Sequence, residues 1–198
     1  GVADSEMGRL AGVARSAWAS NHLLFRSGAA ALAALRDAGV DTLASDATAL
    51  ALLHDGNGGA RRLPCFDTLV RMGDAHKAID ALNKTGWQME LLHPPRAAAL
   101  AFLDSALFKN ESGQPLRLTW RLWAGGGSDA ESAAWAASRE VDAVGLHART
   151  LSPTDLLLRV CAGPERWASK PSPCWVADAW VAIHAENGID WDRFVAQS

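Results

Sequence analysis

Apolar positions between Glu6 and Ala38 recur at helical spacing. Leu10, Val13, Ala14, Ala17 and Trp18 come first, and Leu24, Phe25, Leu32 and Leu35 continue them after Asn21. This predicts a long helix with an optional break at Ser27-Gly28 and a stop at Gly39. Asp41 to Ala44 predicts a short first strand. Ala47 to His54 predicts a short helix capped by Ser45 or Asp46. Asp55-Gly56-Asn57-Gly58-Gly59 predicts a flexible turn. Cys65 to Val70 is the clearest strand, with Phe66, Thr68 and Val70 alternating with Cys65, Asp67 and Leu69. Gly73-Asp74 opens a helix through Asn83 that ends near Gly86. Trp87 to Leu92 reads as a strand broken by Pro94-Pro95, and Ala97 to Leu107 fits helix or strand. Leu116 to Trp123 predicts a strand with Leu116, Leu118, Trp120 and Leu122 on one face, ended by Gly125-Gly126-Gly127.

Near Thr150 the character changes. Ser152-Pro153-Thr154-Asp155 reads as a helix start, with serine as cap and proline in the first turn. Leu156, Leu157, Val160 and Cys161 form its apolar face. Trp175 to Glu186 predicts a further helix, and Asp190-Trp191-Asp192 starts a last one. The fold class expected is α+β, a small mixed sheet with flanking helices followed by a C-terminal helical part. The expected division is residues 1–150 for the mixed region with its N-terminal helix, and 151–198 for a helical region packed on it.

The 198 residues suffice for one core, or one core with a small helical appendage. A net charge of -3 and the lack of a basic tract argue against nucleic-acid binding, so no DNA partner is expected. The apolar runs are short and charge-broken, so no membrane association is expected. Gly1 to Glu6 lacks the pattern of a signal peptide. Cys65, Cys161 and Cys174 are odd in number and far apart, which disfavours disulfides and a structural zinc site. A cytoplasmic location is the simplest expectation. Nine tryptophans and no tyrosine imply that most of the tryptophans pack in the core or between elements. Cys161 and Cys174 read as packing residues and Arg61-Arg62 as a surface pair. Gly125-Gly126-Gly127 lacks the lysine of a phosphate loop and reads as a turn. Asp190 and Asp192 read as caps.

The order of these pieces resembles a bacterial family of uncharacterised nucleotidyltransferases, within the polymerase-beta-like superfamily, over residues 9 to 195. Ala17-Trp18-Ala19-Ser20-Asn21 matches that family's Ala-Trp-x-x-Asn element, and Ala38-Gly39-Val40 leads into its first strand. The family's Arg-Pro-Met-x-Asp-Ile-Asp-Leu-Leu-Val segment reads Arg61-Arg62-Leu63-Pro64-Cys65-Phe66-Asp67-Thr68-Leu69-Val70 here. Its Asp-Leu-His-Trp reads Arg117-Leu118-Thr119-Trp120. Its C-terminal Ser-Pro-x-Asp-x-Leu-Leu and Asp-Trp elements read Ser152 to Leu158 and Asp190-Trp191. Members of the family usually extend further.

The resemblance implies transfer of a nucleoside monophosphate from a triphosphate to an acceptor. Two divalent ions about 3.5–4 Å apart clamp the reacting oxygens in such chemistry. Magnesium takes hard oxygen ligands, so carboxylates hold it. Two carboxylates two residues apart on a strand share a face, a third lies on a neighbouring strand, and a turn at a helix start binds phosphate. In this chain Cys65 stands at the first carboxylate position, Asp67 remains at the second, and Arg117 stands at the third. The phosphate segment falls at Ser45, Asp46 and Thr48, where the family has a lysine-glycine pair near Asp46-Ala47. A thiol is a soft ligand, and a guanidinium repels a cation. The carboxylate of Asp46 repels phosphate.

The expectation is therefore a nucleotidyltransferase fold with a degraded site, acting as a non-catalytic binding or accessory protein, with Asp67 pairing with Arg117 across adjacent strands. No cofactor or metal is expected, and Asp67 is the one residue left to meet an ion. The expected partner is an unidentified protein, peptide or small molecule, with Trp123 or Trp135 as exposed contact anchors. The alternative is an active enzyme using magnesium and nucleotide, with Asp41, Asp46 or Asp55 replacing the lost carboxylates. A purely structural subunit is a third class.

Overall fold

The computed structural model describes residues 4–54, 62–90, 100, 102–123, 128–163, 174–185 and 188–197. The 55–59 turn, Arg61, the Pro94-Pro95 break and Gly125-Gly126-Gly127 lie outside the described residues.

Helix α1 runs unbroken over Asp4–Asp37. The optional break at Ser27-Gly28 does not occur. Gly28 is there for packing: a Cβ at this position would collide with the ring of the fully buried Phe66. The helix meets the core from Ala17 onward through Leu24, Phe25, Ala31 and Leu35. Leu10, Val13 and Trp18, which share the helical spacing, are exposed. Gly39 ends the segment at φ +66°, a left-handed conformation that suits glycine.

Strand β1 (Leu43–Ala44) leads into α2 (Asp46–His54), and β2 (Phe66–Leu69) follows. A 3-10 turn at Met72–Asp74 opens α3 (Ala75–Lys84). Next come β3 (Gln88–Met89), β4 (Ser105–Lys109) and β5 (Pro115–Thr119). Helix α4 (Ser128–Ala136) precedes the hairpin of β6 (Arg139–Ala143) and β7 (Leu146–Thr150). The chain ends with α5 (Pro153–Ala162), α6 (Cys174–Ile183) and α7 (Trp191–Gln197).

The described strands form one mixed sheet in the order β3-β4-β5-β2-β1-β7-β6. β2 lies parallel to β5 and antiparallel to β1, while β1 lies parallel to β7. All four residues of β2 are buried, with α1 and α2 packed against the strand. Leu116, Leu118, Trp120 and Leu122 are buried as their alternation requires. The Trp120 indole donates to the Leu103 carbonyl at 2.8 Å.

The hairpin β6–β7 and α4 carry no expectation from the sequence. Val144 and Gly145 both have positive φ, 51° and 75°, the backbone of a two-residue type I′ turn. Three expectations are corrected. Trp135 is fully buried with the Arg71 guanidinium 4.2 Å from its ring centroid, and Trp123 is half-buried. Neither is an exposed anchor; among the described residues the exposed tryptophans are Trp18, Trp180 and Trp191. Cys174 is exposed rather than packed, whereas Cys161 is half-buried and packs against the core as expected.

The Ser152 hydroxyl caps α5 by accepting from the Asp155 N–H at 3.2 Å. Asp155 in turn accepts from Arg193 of α7, tying the last helix to α5. The Asp190 carboxylate caps α7 by accepting from the Arg193 N–H at 3.0 Å. Among the described residues, no helix is long and apolar enough to cross a membrane.

Candidate functional site

Parallel pairing of β2 with β5 sets Asp67 directly opposite Arg117. Residues opposite each other in a sheet project from the same face. Arg117 Nη1 lies 3.6 Å from Asp67 Oδ1, so the two side chains pair across adjacent strands. The pair is uneven. The Asp67 side chain is 1% exposed and that of Arg117 is 44% exposed, so the arginine covers a buried carboxylate from the solvent side.

Cys65 stands two residues before Asp67 and projects from the same face. Its Sγ donates to Asp67 Oδ1 at 3.1 Å. Burial and the adjacent Asp67 carboxylate push the Cys65 thiol far above its ordinary range, so it stays protonated. The helix start α2 closes over the other side. The Ser45 N–H donates to the Asp67 carbonyl at 3.2 Å, and the Asp67 N–H donates to Thr48 Oγ1 at 2.7 Å. Ser45 and Thr48 are fully buried.

Asp46, the first residue of α2, points to a different partner. Arg159 of α5 grips it with one edge of its guanidinium, Nε donating to Oδ1 at 2.8 Å and Nη2 to Oδ2 at 2.9 Å. Nη1 of the same arginine donates to the Leu122 carbonyl. The fold thus gathers Ser45, Asp46, Thr48, Cys65, Asp67 and Arg117 into one cluster and adds Arg159, which the sequence reading missed. Arg159 ends the apolar run Leu156-Leu157-Leu158, and a charge there was a local sign that its helix face meets something polar. Of the other carboxylates considered, Asp41 is exposed and Asp55 lies outside the described residues.

Burial pushes the Asp67 carboxyl up to about 7, and the nearby Asp46 charge adds to this. The arginines Arg117 and Arg159 and the Cys65 hydrogen bond pull it down, but desolvation wins. The sign for stability follows. A carboxyl whose folded pKa is raised contributes stability that is full below about pH 4 and is lost as pH rises through about 7. Asp67→Asn keeps the shape and removes the charge. The variant should melt above the wild type at pH 8, and the difference should shrink toward zero below pH 5. Thermal melts across that range check this; a variant less stable than the wild type at pH 8 contradicts it.

These donors do not suit two divalent ions. Asp67 offers one buried carboxylate already contacted by a thiol and a guanidinium. Cys65 supplies a protonated sulfur, and Arg117 supplies positive charge where a hard anionic oxygen is needed. Among the described residues, no cluster of three or more His, Cys, Asp or Glu side chains could hold an ion. Two surface concavities, of about 660 and 620 Å³, lie elsewhere. One is lined by Ala34, Lys77 and Lys84, the other by Trp18, His22 and Val144, and neither includes a residue of the cluster.

The fold has counterparts among solved structures. The lincosamide antibiotic adenylyltransferase LnuA, with lincomycin bound, superposes with a TM-score of 0.52 at 13% identity, over 76% of this chain and 90% of that one. The antibiotic-resistance factor ANT(2'')-Ia gives 0.51 at 13% identity, over 77% and 78% of the two chains. An antigenic nucleotidyltransferase-like protein from Paracoccidioides brasiliensis gives 0.50 at 14% identity, over 77% and 72%. At such identities the likeness is one of fold. No curated protein matches the sequence. The family model for uncharacterised nucleotidyltransferases matches residues 3–198, nearly the whole chain. The chain therefore belongs to the family of uncharacterised nucleotidyltransferases.

Proposed function

We propose that this chain keeps the nucleotidyltransferase fold as a non-catalytic binding or accessory protein. The observation that supports this most is the Arg117–Asp67 pair. The guanidinium sits against the one carboxylate retained from the set that such chemistry needs. A fixed positive charge there opposes a divalent cation by direct repulsion. The protonated Cys65 thiol removes a second ligand, and the Asp46–Arg159 pair places a carboxylate at the helix start where a triphosphate would lie. The partner in this reading is a protein, peptide or small molecule, held without magnesium or nucleotide.

Pyrophosphate release tests the reading. ATP, GTP, CTP and UTP with magnesium and a panel of hydroxyl and amine acceptors should give no release above the buffer rate. Release that disappears in Asp67→Asn would establish an active transferase and overturn the proposal.

A further inference from the structure

Within the segment Ala17 to Asn21, two residues have a structural role. Ala17 is buried against the core, and Asn21 Oδ1 accepts from the Leu63 N–H at 2.9 Å. Trp18 does neither. It is 48% exposed, and its ring lies beside that of His22 with centroids 4.1 Å apart. Trp18, His22 and Arg26 recur every fourth residue, so they form one row along α1.

That row lines the concavity of about 620 Å³, whose other side is formed by the β6–β7 turn from Val144 to Leu146. The volume falls in the range of roughly 300–1,000 Å³ usual for small-molecule sites. Both sides are firmly held. The buried Phe25 lines the concavity and meets Phe66 edge-on at 6.4 Å, and Leu146 is buried. The concavity also lies across the sheet from Asp67. Phe66 and Asp67 are consecutive on β2 and project from opposite faces, and it is Phe66 that packs against Gly28 of α1.

The charge of the lining has one sign. Arg26 is exposed and makes no ion pair among the described residues. No residue lining the concavity is acidic, and Asp142 of the hairpin is held by His147 Nδ1 at 2.9 Å instead. An aromatic wall that ends in an uncompensated guanidinium suits a flat ring that carries an anionic group.

We propose that this concavity binds a small aromatic carboxylate. The ring stacks along Trp18 and His22, and the carboxylate meets the planar fork of Arg26. Neighbours in such a row stand about 5–6 Å apart at Cβ, so a fused ring beside Trp18 and His22 brings its carboxylate within reach of Arg26. The site stands apart from the cluster at Asp67, so it holds whether or not that cluster transfers nucleotides.

Nuclear magnetic resonance of the isotope-labelled protein tests this with three probes: naphthoate, naphthamide and cyclohexanecarboxylate. Naphthoate should shift the amide signals of His22, Arg26 and Gly145, with a Kd of about 1 mM or tighter, as expected for a ligand of this size. Naphthamide lacks the charge and cyclohexanecarboxylate lacks the flat ring, so each should bind at least about fivefold more weakly. Arg26→Gln should weaken naphthoate at least about fivefold and leave naphthamide unchanged. Trp18→Leu should weaken both aromatic probes. Ala19→Glu, at an exposed position that lines the concavity, should weaken naphthoate more than naphthamide by placing a carboxylate there. All three positions lack buried partners or are exposed, so the unperturbed amide spectrum of each variant confirms the fold. Naphthoate shifts that are absent or centred elsewhere overturn the proposal, as does naphthoate affinity that is unchanged in Arg26→Gln. Equal binding of cyclohexanecarboxylate and naphthoate overturns it as well.

Discussion

With Cys65→Asp and Arg117→Asp introduced together, the protein should acquire a stability that depends on magnesium or manganese. Cys65 already touches the Asp67 carboxylate at 3.1 Å, and Arg117 stands opposite Asp67 in the β2–β5 register. The two substitutions therefore place three carboxylates on one face of two adjacent strands. Without an ion these charges repel one another in a poorly solvated place, and the variant should melt below the wild type. With an ion at a hundredfold excess over its dissociation constant, stability should rise by about 2.7 kcal/mol. The wild type should show no such rise. Thermal melts of both proteins in EDTA and in each metal decide the matter. A double variant indifferent to metal would mean that the strands do not present the three positions as the register implies.

Arg159→Ala should cost about 2–4 kcal/mol, because it leaves the Asp46 carboxylate and the Leu122 carbonyl without their donor at a mostly buried point. The pair joins α5 to the start of α2, so its loss should also loosen the contact between the C-terminal helices and the sheet. Arg121→Ala is the control. Its pair with Asp104 is 3.5 Å long and well exposed, so that substitution should cost less than about 1 kcal/mol. Urea denaturation midpoints measure both. Equal small losses would show that the Asp46–Arg159 fork contributes no more than a surface pair.

Much of the fold was legible because its elements carry strong local signals. The start of α5 was readable in Ser152-Pro153, whose cap and proline act within a single turn. The strand Pro115–Thr119 was readable, though read as Leu116 to Trp123, because alternate residues from Leu116 onward are buried on one side. The hairpin β6–β7 was missed although β7 alternates buried and exposed residues, because β6 is only half-buried and the turn residue Val144 is β-branched, a poor advertisement for positive φ. The exposure of Leu10, Val13 and Trp18 was also hidden. Periodicity marks a helix face, but it does not say where along the helix the body of the protein begins.

The candidate site divides in the same way. Asp67 and Arg117 were placed together by their motif positions, and the parallel register puts them opposite each other. Arg159 was invisible, because a contact across 113 positions leaves no mark on local sequence beyond one charge ending an apolar run. Its partner Asp46 had been weighed as a replacement metal ligand. The fork it makes with Arg159 leaves its oxygens committed to a guanidinium instead.

Isothermal calorimetry of the wild type with ATP, GTP, CTP and UTP, each in magnesium and again in EDTA, tests the central claim most directly. A site sealed by Arg117 on Asp67 predicts no magnesium-dependent heat with any of the four. Tight binding that appears with magnesium, vanishes in EDTA and is lost in Asp67→Asn would contradict the account.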